Sequence, residues 1–184
     1  MMKRVYVMLA DGFEEIEALT VVDILRRGEV EVATVSITEE KWVMSSHQIK
    51  VEADVTFSQM KEEEAQAIVL PGGMPGTVHL REKQELMDMV MKRHENGQLL
   101  CAICAAPGLI LGDLGILEGR KATCYPAMAE HMKGAEYVKE EQAVQDGHLI
   151  TGCGMGGAIP FSLKILAQLK GEEIANKVRE SIIY

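Results

Sequence analysis

The chain has 184 residues, of which 47% are apolar and 26% are charged, a composition typical of globular domains. Nineteen Lys and Arg against 28 Asp and Glu give a net charge of −9, which opposes general binding to nucleic acid or anionic lipid. Four Cys are too few for a secreted disulfide framework, and no apolar run has the continuity of a signal peptide or membrane helix. We therefore expect a single cytoplasmic domain over residues 1–184.

Short β-rich apolar runs alternate with segments of helical periodicity along the chain. The predicted strands are 4–10, 30–37, an antiparallel hairpin or extension over 43–55, 67–70, 99–103 and three weaker strands over 121–124, 143–145 and 149–151. The predicted helices are 14–28, 86–94, 105–111, 159–170 and 174–182. This alternation predicts an α/β fold with a doubly wound, mostly parallel sheet and helices on both faces. Ligands bind outside the carboxyl ends of the strands in such sheets.

Cys104 stands where the predicted strand 99–103 gives way to a helix. At such a junction a side chain projects from the top of the sheet, as in a nucleophile elbow, and the free amides of the helix start lower the pKa of a thiol. The alternative is a small buried apolar residue. The C-x-x-C spacing with Cys101 can also mean a redox dithiol or half a zinc site. Strand residues three apart point to opposite faces, however, and neither a second C-x-x-C nor a histidine pair is present, so we expect no metal site.

Glu14, Glu15 and Glu17 open the first predicted helix. Acidic residues in a first turn complement the helix dipole, which is the simpler explanation. On a helical wheel, however, Glu14 lies near the middle of the apolar stripe, and the other two flank it, so at least one carboxyl should be partly buried. A buried carboxyl with a raised pKa suits a general acid or base. The pattern does not choose among the three.

Two glycine-rich segments follow predicted strands. The segment over 71–76 would let backbone amides approach a ligand or form an oxyanion hole, although such segments are often only turns. The segment over 152–157 matches the dinucleotide pattern G-x-G-x-x-G, but a helix occupies the region where the required second strand would lie. A nucleotide-binding module is therefore the weakest functional alternative.

Four segments together resemble the ThiJ/PfpI superfamily, in particular its parkinsonism-associated deglycase and YajL branch. They are ADGFEEIE over 10–17, VLPGG over 69–73, AICAAP over 102–107 and TGCGMG over 151–156. The resemblance runs through nearly the whole chain in the same order. It implies a flavodoxin-like fold and a homodimer. It also places the nucleophile at Cys104, its carboxyl partner at Glu17 and the oxyanion amides at Gly73 and Ala105.

Three positions depart from the pattern of these relatives. Tyr125 stands where some of them carry His, so we do not expect a Cys–His relay. Ala105 follows the cysteine where the protease branch has His, which disfavours protease activity. Cys153 occupies a loop position that is often Arg in the deglycase branch. We expect Cys153 and Cys124 to be loop thiols without a function, with a resolving thiol near the pocket as the alternative.

The resemblance, together with these candidate residues, implies two functions. The first is a cofactor-free enzyme of the glyoxalase III or deglycase type, in which Cys104 adds to an α-oxoaldehyde, backbone amides hold the oxyanion, and Glu17 moves the proton. We expect Glu17 to be protonated and to donate to the thiolate. The second is an oxidant sensor or redox-regulated chaperone that uses the same cysteine without turnover.

Overall fold

The computed structural model describes residues 3–184 and contains eleven strands and five α-helices. The strands are β1 (Arg4–Leu9), β2 (Val32–Ser36), β3 (Trp42–Met44), β4 (Lys50–Glu52), β5 (Val55–Thr56), β6 (Ala65–Leu70), β7 (Leu99–Ile103), β8 (Lys121–Ala122), β9 (Glu136–Tyr137), β10 (Ala143–Asp146) and β11 (Leu149–Gly152). The helices are α1 (Glu15–Arg27), α2 (Gly76–Glu82), α3 (Gln84–Glu95), α4 (Ala158–Lys170) and α5 (Glu172–Ser181).

Seven strands form the central sheet in the order β10-β11-β7-β6-β1-β2-β5. Neighbouring strands run parallel, except for the antiparallel pair of β10 and β11. Two small two-stranded sheets, β3 with β4 and β8 with β9, lie outside it. This is the doubly wound, mostly parallel α/β architecture that the alternating pattern predicts.

The side chains of β1 show how the two faces of the sheet are covered. Val5, Val7 and Leu9 point into a core shared with α1 and α4. Tyr6 and Met8 alternate with them and pack on the other face, against buried residues of α2 and α3. Both faces of β1 are therefore covered, which explains why its sequence is apolar throughout rather than alternating.

Several elements differ from the sequence-based prediction. The helical segment after β7 is a π-helix, Pro107–Gly112. The 43–55 region supplies the predicted hairpin, β3 with β4, but its last strand, β5, joins the central sheet beside β2. Neither α2 nor β9 was predicted, because α2 starts in the proline- and glycine-rich segment and β9 has only two residues. Among the helices of residues 3–184, none combines the length and apolar character needed to span a bilayer.

The topology brings four loops together. Strands β11, β7, β6 and β1 are consecutive neighbours and run in the same direction, so their carboxyl ends share one edge of the sheet. The chain leaves this edge at residues 10, 71, 104 and 153. These are the segments in which the sequence places its candidate functional residues, and parallel α/β sheets form their ligand sites at this edge.

Candidate active site

Cys104 follows the last residue of β7 in a left-handed backbone conformation, with φ of 64°. Two backbone hydrogen bonds hold it there: its amide donates to the carbonyl of Gly152 at 2.9 Å, and its carbonyl accepts from the amide of Tyr125 at 2.8 Å. The side chain is half-buried. A sharp turn of this kind between a strand and a helix presents a side chain at the top of the sheet, in the manner of a nucleophile elbow.

The carboxyl group of Glu17 lies beside the thiol of Cys104, within hydrogen-bonding distance of it. Glu17 sits in the first turn of α1 and is only 1% exposed. Its Oε2 also accepts a hydrogen bond of 2.9 Å from the amide of Gly72. The fold thus brings together two residues 87 positions apart in the sequence and leaves the carboxyl little contact with water.

Glu14, Glu15 and Glu17 are all buried, but they have different partners. Glu14 is the N-cap of α1, and its Oε2 accepts from the amide of Glu17 at 2.7 Å. Glu15 is paired with His47, whose Nδ1 lies 2.9 Å from the Glu15 carboxylate. Among these three carboxyls, only Glu17 faces the Cys104 thiol and acts on its pKa.

The amides of Gly73 and Ala105 both contact the sulfur of Cys104 and lower the pKa of its thiol. These are the two amides that the sequence resemblance implies for an oxyanion hole. Ala105 supplies its amide from the turn that leads into the π-helix, and Gly73 from the loop after β6. A group that carries negative charge next to this sulfur would face two backbone donors.

Gly72 is a site residue that the sequence analysis did not single out. A Cβ at this position would lie 2.5 Å from Cβ of Cys104 and 2.6 Å from Oε2 of Glu17. Only glycine fits between the two side chains. The signal in the sequence was the pair of glycines after Pro71, just beyond β6, but the need for close approach arises from the tertiary fold.

The pKa of Glu17 is raised to about 7, chiefly by burial and to a smaller extent by the charge of Glu14, while hydrogen bonding from Cys104 and from the amide of Gly72 opposes the shift. Burial also raises the pKa of the Cys104 thiol, and the charge of an ionised Glu17 acts in the same direction. The expectation that the pKa of the Cys104 thiol is lowered was therefore wrong. It considered the effect of the backbone amides but not the effects of burial and of the neighbouring Glu17 carboxylate. The two groups titrate as one coupled pair.

The other three cysteines have different surroundings. All four thiols are free, so the C-x-x-C spacing forms no disulfide. Cys101 is fully buried inside β7, and burial raises its pKa above the ordinary range. Cys124 is also buried, whereas Cys153 is half-buried and lies close enough to Glu17 for the carboxylate charge to raise its pKa, after the larger effect of burial.

Within residues 3–184, the only group of three side chains arranged to ligate a metal ion is Glu14, Glu15 and His47, whose ligand atoms lie within 4.8 Å of one another. Each of these groups already has a partner in the protein, as the helix cap and the Glu15–His47 pair show. The segment over 152–157 continues into α4 and then α5 rather than into a second strand, so the dinucleotide fold is not formed.

Comparisons with known proteins found relatives of this chain along most of its length. The sequence model of the DJ-1/PfpI family matches residues 3–168. The chain is 37% identical over 181 residues to Protein DJ-1 homolog B of Arabidopsis thaliana, and it spans 41% of that protein's length. It is 31% identical over 167 residues to the glutathione-independent glyoxalase DJR-1.2 of Caenorhabditis elegans, covering 90% of this chain and 87% of that protein.

The fold has the same close relationship to solved structures. A DJ-1 superfamily protein from Salmonella typhimurium superimposes with a TM-score of 0.93 at 36% sequence identity, and the match covers 100% of this chain and 99% of that one. The flavodoxin-like architecture is shared over the whole length of both chains. The chain belongs to the DJ-1/PfpI family.

Proposed function

We propose that the protein is a cofactor-free enzyme that converts α-oxoaldehydes such as methylglyoxal to hydroxy acids, in the manner of a glyoxalase III. The observation that carries this proposal is that the carboxyl of Glu17 lies beside the sulfur of Cys104 and has a pKa raised to about 7. A carboxyl with this pKa can both accept and donate a proton at neutral pH. The glyoxalase name of the Caenorhabditis elegans relative supports the same reaction.

The reaction begins when the sulfur of Cys104 bonds to the aldehyde carbon of the substrate. The thiol proton passes through Glu17 to the former aldehyde oxygen, which gives a hemithioacetal, and the amides of Gly73 and Ala105 stabilise the charge that develops on this oxygen. Glu17 then takes the proton from the same carbon and returns it to the neighbouring ketone carbon, while the hydroxyl proton of the hemithioacetal moves to the ketone oxygen. The product of this shift is a thioester of a hydroxy acid, and water hydrolyses it and restores the thiol. Repair of early glycation adducts of the deglycase type would start with the same addition.

The test measures lactate formed from methylglyoxal by the purified protein. We expect turnover by the wild type and loss of at least about a hundredfold in kcat for Cys104→Ala and Glu17→Gln, the range typical of a lost nucleophile or general base. Cys101→Ala is the matched control, because it removes a thiol from the same strand without touching the site. Full activity in Cys104→Ala would refute the proposal.

A second candidate function is oxidant sensing, and the same pair favours it. A sulfinic acid at Cys104 would place its oxygens beside the two amides and a carboxyl able to donate a proton, an arrangement that stabilises the oxidised sulfur. Peroxide treatment followed by intact-mass measurement separates the two functions. Selective oxygen addition at Cys104 in a protein that turns over no aldehyde would favour the sensor.

We further propose that the protein acts as a homodimer in the cytoplasm. Ile16 and Leu19 are 47% and 36% exposed on the outer face of α1, one helical turn apart. An apolar strip of this kind supports an interface with a second copy, as the family resemblance implies. The four free thiols support a reducing compartment.

A further inference from the structure

We propose that Tyr125 and Gly154 form the subsite for the substrate's side chain, and that this subsite selects α-oxoaldehydes with an uncharged, apolar and above all aromatic substituent. The inference rests on the proposed function, because it names the substrate class for the Cys104–Glu17 pair. It does not depend on the protease or nucleotide-binding alternatives.

The geometry around Gly154 carries the proposal. A Cβ built on Gly154 would lie 3.9 Å from the sulfur of Cys104, 3.9 Å from Oε1 of Glu17 and 3.5 Å from Cδ2 of the Tyr125 ring. The sulfur, the carboxyl oxygen and the Tyr125 ring therefore all lie around Gly154. Gly154 has a φ of 147°, which other residues rarely adopt, so the chain has no side chain of its own between these groups.

The proposed reaction requires the substituent of the substrate to lie beside Gly154. The aldehyde carbon must bond to the sulfur, and the next carbon must lie within reach of Glu17, because Glu17 moves a proton between the two carbons. The substituent on the second carbon is then a few bonds from both groups. Gly154 lies beside both groups, and the Tyr125 ring lies beside Gly154, so a substituent at this place would meet the ring.

Tyr125 is available for contact with a ligand. Its side chain is 51% exposed, although its backbone amide is fixed by the hydrogen bond to Cys104. Aromatic pairs contribute about 0.5–1.5 kcal/mol beyond the area they bury, which corresponds to a preference of about two- to twelvefold. We therefore expect the ring to favour an aryl substituent over a methyl group.

The charges around the pair argue against anionic substrates. In the described part of the chain, the pKa of the Cys104 thiol is shifted by burial, by Glu17 and by two backbone amides. No Lys, Arg or His contributes to this shift. His47, which contacts the acidic first turn, is already paired with Glu15. A carboxylate or phosphate on the substrate would lie beside Glu17 without a counter-ion. Tyr125 and Cys153, which lie near the pair, carry no positive charge.

The first experiment compares kcat/KM for phenylglyoxal, methylglyoxal and 4-carboxyphenylglyoxal. We expect phenylglyoxal to exceed methylglyoxal by about two- to twelvefold and the carboxylated analogue by more than about tenfold. Tyr125→Ser should remove the preference for the aryl substrate, Tyr125→Phe should keep it, and Tyr184→Ser, which removes an exposed tyrosine at the end of the chain, should change nothing. Equal loss on phenylglyoxal and methylglyoxal in Tyr125→Ser would overturn the proposal.

The second experiment does not depend on turnover. It compares the alkylation rate of Cys104 by neutral iodoacetamide and by anionic iodoacetate, each relative to free cysteine. We expect the relative rate with iodoacetate to be at least about fivefold lower, and Tyr125→Arg to reduce this difference. If the alkylation selectivity is present but no glyoxal is consumed, the subsite stands and the proposed function fails. If glyoxals are consumed without selectivity for charge or for the aryl group, the subsite is refuted and the proposed function stands.

Discussion

The amide of Gly72 donates a hydrogen bond of 2.9 Å to Oε2 of Glu17, across 55 residues of sequence. The same residue accepts at its carbonyl from the amide of Glu14 at 2.9 Å, so the loop after β6 is bonded to the start of α1 through both backbone groups of Gly72. This contact fixes the carboxyl relative to the sulfur. It also leaves no room for a side chain at residue 72.

Gly72→Ala is therefore predicted to be damaging. Its methyl group would overlap with Cys104 and Glu17, and overpacking of this kind costs about 1–3 kcal/mol in a well-packed core. We expect a loss of unfolding free energy of this size in urea titrations, together with at least a tenfold loss in lactate formation. Gly156→Ala is the control, because a Cβ at residue 156 meets nothing within 4 Å. Equal behaviour of the two variants would contradict the prediction.

The raised pKa of Glu17 predicts a particular pH dependence of stability. The ordinary glutamate pKa is 4.5, and burial raises it to about 7 in the folded protein, so the folded state binds more protons between these values. The contribution of Glu17 to stability is therefore present below pH 4.5 and is lost as the pH rises through 7, with an upper limit of about 3 kcal/mol.

Glu17→Gln removes this dependence, since the amide does not titrate. Urea unfolding at pH 5, 6, 7 and 8 should show the variant gaining stability relative to the wild type as the pH rises. Glu14 is also raised in pKa by burial, but it is present in both proteins and largely cancels in the comparison. Parallel pH curves for the two proteins would show that Glu17 is ionised throughout.

The coupled pair also predicts the pH profile of thiol alkylation. Because the pair loses one proton as Glu17 titrates, the rate of Cys104 alkylation should rise through pH of about 7. Cys101 and Cys124 are fully buried and should not react in the folded protein. Peptide mass spectrometry after timed labelling assigns the rates. In Glu17→Gln the inflection near pH 7 should disappear, and its persistence would assign the titration to another group.

The exposed face of α1 predicts a change in assembly state. Leu19 borders a groove that Ile24, Ile159 and Ile182 also line, between α1, α4 and the end of α5. A charge at this position would be buried without a partner in a dimer, so Leu19→Lys should weaken association at least tenfold in sedimentation velocity. Gln98→Lys, an exposed substitution before β7, is the control. A wild type that sediments as a monomer at all concentrations would rule out the homodimer.

Long apolar runs and helical stripes made most of the fold predictable. Strands β1, β2, β6 and β7 are buried, and their apolar sequences are visible without any tertiary information. The short elements were harder: α2 begins at Gly76 inside a segment whose prolines and glycines indicate a turn, and β9 has two residues. In such segments tertiary contacts outweigh local preference.

The candidate site was also predicted only in part. Cys104 was predicted from its position at the strand-to-helix junction. The choice of Glu17 over the other two glutamates came from the family resemblance and not from the helical wheel. The wheel treats the first turn as regular helix, but Glu14 is a cap with extended backbone. The direction of the thiol pKa could not be predicted, because it depends on burial and on a carboxyl 87 residues away.

The left-handed backbone conformation of Cys104 lowers the stability of the folded protein. A residue with a Cβ is held at φ of 64° only at the expense of stability, typically about 1–3 kcal/mol, and glycine escapes that penalty. Cys104→Gly should consequently resist urea better than Cys104→Ala, although both lack the nucleophile. Selection for stability alone would replace cysteine at this turn. Its presence therefore indicates that the protein accepts a lower unfolding free energy in exchange for the position of one sulfur atom.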